Sequence, residues 1–411
     1  MTEAAPARER RVVVVGGGHA GGTFVGLLRQ SGFTGQVVVI GEEVDLPYQR
    51  PPLSKTFIGG SLEQPLRDPA FYPEQGVTMR LNEFVSAIDR ESRSVLTASG
   101  RRTEYDVLVL ATGAAARQLK IPGSDLSGIQ TLRSLGDARA LREGVEAGGP
   151  IVIVGGGYVG LEVAAVARAN GSDVTVVERE DRILARVASP MFSGIIEKYH
   201  RGHGTNFLTN ANVSGFSGID GKVRSVTLED GTELRCDLAI VGVGAAARDE
   251  LAIATGLRCD NGIIVDDTAQ TSDANILAIG DATSRPVHGS DDLMRLESIP
   301  SATEQAKQAV ANIMGAEPHA LEVPWFWSDQ FDLKIKIAGL IRGPFESVLR
   351  GEPQSGKFAL LHHDGGRVVA VEAANTPADF MAGKRFLADR RHLDPALLSD
   401  PEVTLRSLVL A

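Results

Sequence analysis

The residues best suited to chemistry in this sequence are two sets of glycines with identical spacing. Both sets have the form Gly-x-Gly-x-x-Gly, and they consist of Gly16, Gly18 and Gly21 and of Gly155, Gly157 and Gly160. The first glycine of such a motif permits a tight turn, the second lets a pyrophosphate approach the backbone, and the third lets a helix pack closely against a strand. Phosphate then binds at the helix N-terminus, where free N–H groups and the dipole attract it. Each motif therefore predicts a dinucleotide site.

An acidic residue follows each glycine motif at the distance that such a site requires. Glu42 and Glu178 each lie about 20 residues beyond their glycines, where a carboxylate accepts a hydrogen bond from an adenosine ribose hydroxyl. A carboxylate in this place repels the 2′-phosphate of NADPH, so Glu178 favours NADH in the second site. Arg179, Arg182 and Arg186 weaken this preference, because a rearranged arginine could accept a phosphate.

The segments that carry the glycines form an internal repeat. Residues 12–43 and 151–180 each contain an apolar β-branched run, the glycine motif, a helical pattern and a second apolar run that ends in an acid. This order predicts a βαβ unit of a doubly wound sheet. One such motif is a weak signal, but two in the same context are strong. Two adenine dinucleotides in one chain suggest FAD together with NAD(P).

Similar segments follow both repeats. Residues 85–104 and 213–235 are predicted β-hairpins, and each leads into an apolar strand that ends in small residues. Small residues leave room for a ligand at the carboxyl edge of the sheet. They are Ala111, Thr112 and Gly113 in the first repeat and Gly242 in the second.

The second repeat is predicted to be inserted within the first domain. A late strand at 276–282 ends in Gly280 and Asp281, and the first dinucleotide sheet needs this strand for completion. From Pro324 onward the sequence changes to short alternating strands without dinucleotide signals. We therefore predict an α/β protein with two Rossmann-like dinucleotide-binding domains and a C-terminal α+β domain. The predicted boundaries are 1–113 and 246–322 for the FAD-binding domain, 114–245 for the NAD-binding domain, and 323–411 for the C-terminal domain.

Composition narrows the possible functions and the location. The 411 residues have a formal net charge of −10, which argues against nucleic acid as a partner. Residues 324–411 carry 11 Lys+Arg and 11 Asp+Glu, so this less acidic part could receive an acidic partner. No apolar run reaches the roughly 18 residues of a membrane span, and the first eleven residues lack the apolar stretch of a secretory signal. The expected location is the cytoplasm.

Cysteines and histidines show no spacing typical of redox or metal centres. Cys236 and Cys259 lie far apart, so we interpret both as buried small apolar residues. The nearest approach to a histidine cluster is His200 and His203, which we interpret as part of a solvated loop. No metal site is predicted.

The stretch RPPLSK places two prolines between Arg50 and Lys55. Proline is tolerated in the first turn of a helix, so one interpretation is that the prolines only start a helix. The other is that the turn directs both cations toward a bound anionic or electron-rich cofactor. The sequence pattern alone leaves the two interpretations open.

These motifs resemble those of the ferredoxin reductase family that includes putidaredoxin reductase and the reductases of biphenyl-type dioxygenases. Three further stretches carry the same resemblance: AIGDA, ESIPSATEQA (297–306) and PWFWSDQ (324–330). The resemblance covers nearly the whole chain and implies noncovalent FAD, with NADH as substrate. It also implies contacts with these cofactors beyond the glycines and the acids. The residues are Ala20, Arg50, Lys55, Val85, Arg133, Asp281, Ile299 and Trp327 for FAD, and Val159, Glu162 and Arg186 for NADH.

The resemblance assigns catalytic roles to Lys55 and Glu162. Lys55 would lie near flavin N5, and Glu162 would reach Lys55 and the nicotinamide amide. Against this, a glutamate in the first turn of a helix is favoured by the dipole, and lysines are usually solvated. A helix start at Ser301 to Glu304 would direct its positive end toward the flavin pyrimidine edge, or it would be an ordinary capped helix. Two tryptophans two positions apart should point the same way from one strand, and these are Trp325 and Trp327. They are expected to shield the flavin ring.

The function implied is an NADH:ferredoxin reductase. Electrons would pass from NADH through flavin, one at a time, to an acidic [2Fe-2S] ferredoxin that serves a cytochrome P450 or a Rieske-type oxygenase, and the protein would be a monomer or homodimer. A rubredoxin reductase and an NADH-sensing flavoprotein of the apoptosis-inducing-factor type remain alternatives. A disulfide reductase or a peroxide-reducing NADH oxidase needs a cysteine beside the flavin, and residues 46–57 contain none.

Overall fold

The structure, a computed structural model, describes residues 10–410 and divides into two compact units. The first unit contains the described residues up to Gln49 together with Glu63–Ala115 and Ala246–Pro324. The second contains Arg50–Leu62, Ala116–Ala245 and the described residues from Trp325 onward. Two short strands, Ala114–Ala116 and Ala245–Ala247, lie where the chain passes from one unit to the other. The boundaries of the three domains stay a prediction, and the expected lack of a secretory signal concerns residues that lie mostly outside the described part.

A five-stranded parallel sheet forms the centre of the first unit. Valines dominate its middle strand, in which Val12 pairs with Val37 on one side and with Val107 on the other. Such strands are buried on both faces and therefore read as continuous apolar runs. The late strand joins as predicted, because Ile276 pairs with Leu108. The strands in spatial order are Ile276–Ala278, Val107–Leu110, Val12–Val15, Val37–Ile40 and Val77–Arg80.

Helices cover this sheet, and smaller sheets extend it. The helix His19–Gln30 buries Phe24, Val25 and Leu28 in a core that it shares with the helix Ile299–Met314. The latter helix begins two residues earlier than the predicted start at Ser301, because Ser298 is its N-cap and accepts a hydrogen bond from the Ser301 amide at 3.2 Å. The remaining elements of this unit are Val85–Asp89, Ser94–Thr97, Arg102–Glu104, Ile263–Ile264, Thr283–Ser284, Phe71–Glu74, Glu250–Ala254 and the 3₁₀ helix Gly280–Ala282.

The second unit repeats this plan. Its parallel sheet has Ile151 paired with Val174 on one side and with Leu238 on the other. The strands in spatial order are Asn206–Leu208, Val174–Val177, Ile151–Val154, Leu238–Val241 and Ile129–Gln130. An antiparallel sheet follows, with strands Val213–Ile219, Lys222–Leu228 and Glu233–Arg235. The helices are Pro52–Lys55, Leu135–Glu146, Tyr158–Ala169 and Pro190–Gly202.

The C-terminal part of the second unit is an antiparallel sheet with helices, as predicted for an α+β segment. The strands in spatial order are Trp325–Gln330, Leu333–Gly339, Arg367–Ala374, Lys357–Asp364 and Glu346–Glu352. A 3₁₀ helix Pro353–Ser355 and the helices Pro377–Ala388, Pro395–Ser399 and Leu405–Leu410 complete it. The predicted fold class is confirmed. No helix within residues 10–410 combines the length and the apolar character that a membrane span needs.

Candidate functional site

The first glycine motif lies at the carboxyl edge of the first parallel sheet. A Cβ placed on Gly16 would lie 2.1 Å from the Ala111 carbonyl oxygen, and the φ of Gly16 is +117°, so only glycine fits there. A Cβ on Gly21 would lie 2.2 Å from the Gly16 oxygen. Gly280 lies against Ala20, whose Cβ would be 2.8 Å from an added Cβ. The segments that follow the strands Val12–Val15, Val107–Leu110 and Ile276–Ala278 therefore pack against one another at this loop.

This loop leads into the helix His19–Gln30, whose N-cap is Gly18 and has no side chain to occupy the free N–H groups. Open donors at a glycine-capped N-terminus fit a pyrophosphate. Glu42 lies at the end of the next strand and forms an ion pair with Arg248 at 2.5 Å. Thr112 donates its hydroxyl to the Arg248 carbonyl at 2.6 Å. The residues of the first unit therefore fit the adenosine diphosphate part of a dinucleotide.

Three further residues predicted to contact FAD lie in the first unit. Val85 is buried in its core, so a contact with a cofactor would have to come from the backbone. Asp281 lies in the 3₁₀ helix directly after the late strand, and its carbonyl is 3.5 Å from an Arg295 nitrogen. Ile299 is the first residue of its helix.

A buried ion pair that the sequence pattern did not predict lies near the start of this helix. Arg285 donates to Glu304 at 2.6 Å and to the Ser301 hydroxyl at 3.1 Å, and both charged side chains are almost fully buried. The other oxygen of Glu304 accepts from the Glu322 amide at 2.8 Å. The available signal was a charged residue on the apolar face of a helix, which implies a partner.

The second glycine motif has the same packing. A Cβ on Gly155 would lie 2.5 Å from the Gly242 oxygen, and one on Gly160 would lie 2.4 Å from the Gly155 oxygen. A Cβ on Gly157, in contrast, would meet nothing within 4 Å. The first and third glycines are therefore required by the fold, whereas the second borders open space, as approach of a pyrophosphate requires. Val159, the second residue of the helix Tyr158–Ala169, is exposed.

Glu178 is held beside this loop by backbone donors. One carboxylate oxygen accepts from the Gly156 amide at 2.7 Å, and the other accepts from the Glu180 amide at 2.9 Å. Of the three nearby arginines, Arg179 pairs with Glu180 at 3.0 Å, and Arg182 donates to backbone carbonyls and to a serine. Arg186 forms no hydrogen bond or ion pair with any residue in the described part of the chain. A terminal nitrogen of Arg186 lies 3.5 Å from a Cβ placed on Gly244.

The predicted pair of Lys55 and Glu162 is present. Pro51 caps the four-residue helix Pro52–Lys55, so the prolines do start a helix, and that helix ends at Lys55. The Lys55 ammonium forms an ion pair with Glu162, although 107 positions separate them. Glu162 is the fifth residue of the helix Tyr158–Ala169 and not part of its first turn as expected. The helix dipole therefore does not explain this glutamate, which is only 4% exposed.

Two hydroxyl groups complete the environment of Glu162. Ser54 donates to one carboxylate oxygen, and Ser328 donates to the other at 2.6 Å. Arg50, four residues before Ser54, donates to the carbonyl of Arg133 at 2.6 Å. The second unit thus brings Lys55 and Glu162 together, as the resemblance implies, and it also places Arg50 beside Arg133.

The strand Trp325–Gln330 presents two different faces. Trp325 and Trp327 lie on one face with ring centroids 5.9 Å apart, so the predicted common direction is confirmed. On the other face Phe326 contacts the ring of Tyr158 at 4.7 Å, and Ser328 reaches Glu162. The strand therefore places the two tryptophans on one face and Phe326 and Ser328 on the other, as alternation along a strand requires.

The interpretation of His200 as part of a solvated loop was wrong. His200 lies in the helix Pro190–Gly202, is fully buried, and shares a 2.9 Å hydrogen bond between its Nε2 and Gln330 Oε1. Burial lowers the pKa of His200 to about 4, so the ring is neutral at pH 7. Phe192 and Ile196 precede it at helical spacing and mark this face as buried. Only His203 is exposed.

Neither cysteine has the properties of a redox thiol. Cys236 is buried and Cys259 is half-buried, which corrects the prediction that both are buried. Burial raises the pKa of each thiol to about 11, which disfavours the nucleophilic thiolate. Within residues 10–410 no group of three or more His, Cys, Asp or Glu side chains could hold a metal ion.

Comparison with known protein families agrees with this arrangement. A profile described as pyridine nucleotide-disulphide oxidoreductase matches residues 10–309, and one described as reductase C-terminal matches residues 325–409. A probable ferredoxin reductase, CtmF, of Castellaniella defragrans is 41% identical and covers 97% of this chain and 99% of its own. Putidaredoxin reductase CamA of Pseudomonas putida is 38% identical, with 97% of each chain covered. The covalent putidaredoxin reductase–putidaredoxin complex matches with a TM-score of 0.95, 37% identity and 98% of each chain covered.

Proposed function

Because the chain belongs to the pyridine nucleotide-disulphide oxidoreductase family and, within it, to the ferredoxin reductases related to putidaredoxin reductase, we propose that it is an FAD-dependent NADH:ferredoxin reductase. Its electron acceptor is a [2Fe-2S] ferredoxin that serves a cytochrome P450 or a Rieske-type oxygenase. One observation carries this proposal. Each of the two parallel sheets ends in a tightly packed glycine loop beside an acid, so the chain offers separate sites for two dinucleotides.

The second loop binds NADH. The pyrophosphate lies against Gly157, where the structure leaves open space, and the free N–H groups at the start of the helix Tyr158–Ala169 donate to it. Glu178 accepts a hydrogen bond from the adenosine ribose, and its two backbone donors keep the carboxylate in place. Arg186 supplies a positive charge near the end of the Leu238–Val241 strand.

The first loop binds FAD through the helix that follows Gly18 and through Glu42. Bound FAD supplies the exchange between a two-electron donor and a one-electron acceptor, which protein side chains cannot perform. The chain contributes orientation, electrostatics and exclusion of water. Lys55 and Glu162 form the polar pair that orients the nicotinamide, and the predicted contacts of Arg50, Lys55, Arg133, Asp281, Ile299 and Trp327 with FAD belong to the same proposal. No side chain acts as a nucleophile.

The acceptor is a one-electron carrier and not a disulfide. The chain has two cysteines, neither lies in residues 46–57, and both thiols resist ionisation. The carrier is proposed to be acidic because the C-terminal part places lysines beside the half-buried ring of Trp325 and the buried ring of Phe380. Lys384 lies 4.9 Å from the centre of the Trp325 ring, and Lys336 lies 5.6 Å from the centre of the Phe380 ring.

The test begins with the purified yellow protein titrated with NADH in the absence of oxygen. A [2Fe-2S] ferredoxin or a rubredoxin is then added with cytochrome c as the reporter. Rapid reduction through the ferredoxin supports the proposal. Faster transfer to rubredoxin would instead identify a rubredoxin reductase. Slow reoxidation by every carrier, combined with dimerisation that depends on NADH, would identify a sensor of the nicotinamide state. A protein that takes up no flavin would refute all three functions.

A further inference from the structure

A buried row of polar side chains leads away from Glu162 inside the second unit. Ser328 donates to Glu162 at 2.6 Å, Gln330 Nε2 lies 3.1 Å from the Ser328 hydroxyl, and Gln330 Oε1 lies 2.9 Å from His200 Nε2. Ser328, Gln330 and His200 each have an exposed fraction of 0%. Most buried polar groups in proteins are hydrogen-bonded, because a buried group without a partner destabilises the fold. Three buried polar side chains in a row that ends on Glu162 therefore suggest a function beyond packing.

The direction of every hydrogen bond in this row follows from its first member. A carboxylate can only accept, so the Ser328 proton must point at Glu162. Ser328 must then accept from Gln330, which turns the amide nitrogen toward the serine and the amide oxygen toward His200. His200 Nε2 must in turn carry a proton. Because burial lowers the pKa of His200 to about 4, the ring is neutral and its Nδ1 carries none. Nδ1 accordingly is buried and has no partner among the described residues.

We propose that His200, Gln330 and Ser328 are positioning residues that act on Glu162 as a one-directional hydrogen-bond relay. The relay orients Oε1 of Glu162 through Ser328, the Lys55 ammonium donates to the same oxygen, and Ser54 donates to Oε2. It fixes the rotamer of Glu162 and, through the ion pair, the place of the Lys55 ammonium. This inference rests on the proposed function, because the pair orients the nicotinamide during transfer to the flavin.

The end of the relay at Gln330 and His200 is also held by contacts that are not part of the relay. Phe331 follows Gln330 in a left-handed conformation, with φ of 54°, and its ring stacks on His203 at 4.2 Å. Tyr199 donates to Asp332 in the same turn. The helix Pro190–Gly202 therefore holds the end of the strand through contacts that are separate from the relay. Tyr199 provides the matched control, because it anchors the same turn but donates nothing toward Glu162.

The kinetic test uses the holoenzyme without ferredoxin and follows reduction of bound flavin by NADH in a stopped-flow instrument. Ser328→Ala and Gln330→Leu should each lower the limiting rate about tenfold with full flavin content. Gln330→Glu should fail similarly, since a carboxylate keeps the size but cannot donate to Ser328. The variant that combines Ser328→Ala with Gln330→Leu should reduce its flavin no more slowly than either single variant, because Gln330 acts through Ser328. Tyr199→Phe should leave the rate unchanged.

A second test does not depend on turnover. In spectra of protein labelled with ¹⁵N-histidine, one signal should disappear in His200→Phe, and that signal should show a neutral ring with the proton on Nε2 throughout pH 6 to 8. Gln330→Leu should abolish this fixed tautomer.

Three results would overturn the relay. They are an Nδ1 proton on His200, additive rate losses in the double variant, or an equal loss in Tyr199→Phe. The proposed function can fail separately. If NADH reduces the flavin normally but no ferredoxin accepts electrons, the relay is still measurable. If NADH does not reduce the flavin, the proposed function falls while the histidine spectra still decide the geometry of the relay.

Discussion

Glu162 accepts from Lys55, Ser54 and Ser328, and we propose that this group orients the nicotinamide. Its side chain is 5% exposed, that of Lys55 is 10% exposed, and each is the charge partner of the other. We expect Glu162→Gln to slow flavin reduction by NADH and to lower the free energy of unfolding by about 3 kcal/mol, because it leaves a buried ammonium unpaired. Ser54→Ala removes only a neutral donor to the same carboxylate and should cost about 1 kcal/mol. Denaturant unfolding and stopped-flow reduction measure both effects, and equal losses in the two variants would contradict this ranking.

We propose that Glu178 decides which nicotinamide the second unit accepts. Its two oxygens are occupied by the Gly156 and Glu180 amides, so the carboxylate cannot easily turn away from a 2′-phosphate. We expect a higher kcat/KM for NADH than for NADPH in the unaltered protein. Glu178→Gln keeps the shape but removes the charge, so the ratio should fall about tenfold. Equal use of both nucleotides by the unaltered protein would show that Arg186 accepts the phosphate.

At the scale of elements, the glycine loop separates positions required by folding from a position required by the ligand. Gly157 has φ of −80° and ψ of 175°, an extended conformation open to any residue, and open space surrounds its missing side chain. Gly157→Ala should therefore leave the thermal midpoint within a degree or two but raise the KM for NADH at least tenfold. Gly160→Ala should destabilise the protein, because its Cβ would lie 2.4 Å from a backbone oxygen. A normal KM in Gly157→Ala would place the pyrophosphate elsewhere.

The elements themselves were largely predictable, because both βαβ repeats are local patterns of apolar periodicity and glycine spacing. The pairing of Lys55 with Glu162 was predictable only from family resemblance, since 107 positions separate the two residues. Ser328, Gln330 and His200 were missed for a related reason. Each is polar, and a polar residue is predicted to be exposed until the partner that satisfies it is known. For His200 the periodicity of Phe192 and Ile196 was the available signal.

For the whole molecule, the buried His200 links folding to pH. The unfolded chain takes up a proton at this residue as the pH falls through about 6.5, whereas the folded protein resists protonation until about 4. Stability must therefore decrease as the pH falls through this window, by about 2 kcal/mol at pH 5. His200→Phe should lose this component, so its unfolding free energy should fall less between pH 7.5 and 5 than that of the unaltered protein. If the unfolding free energies of the two proteins change equally with pH, the folded protein must take up the His200 proton over the same pH range as the unfolded chain.

The whole molecule also has to meet an electron carrier, and its charge distribution indicates where. The chain carries a net charge of −10, yet residues 324–411 are balanced, so an acidic ferredoxin is repelled least by the C-terminal part. Lys336 and Lys384 lie there against an aromatic cluster made of Trp325, which is half-buried, and Phe380, which is buried. We expect Lys336→Glu and Lys384→Glu each to raise the KM for ferredoxin about tenfold at low salt, and we expect high salt to shrink the difference as charges are screened.

The control for this surface is Lys222→Glu, which makes the same change of charge at the exposed first residue of the Lys222–Leu228 strand. Reduction of ferricyanide by NADH, which needs no docked protein, should stay constant in all three variants. An equal effect of Lys222→Glu would mean that only the net charge of the protein matters, because the surface beside Trp325 would then contribute nothing specific. A loss that persists at high salt would instead indicate apolar contact with the aromatic cluster, since screening weakens attraction between charges but leaves apolar burial intact.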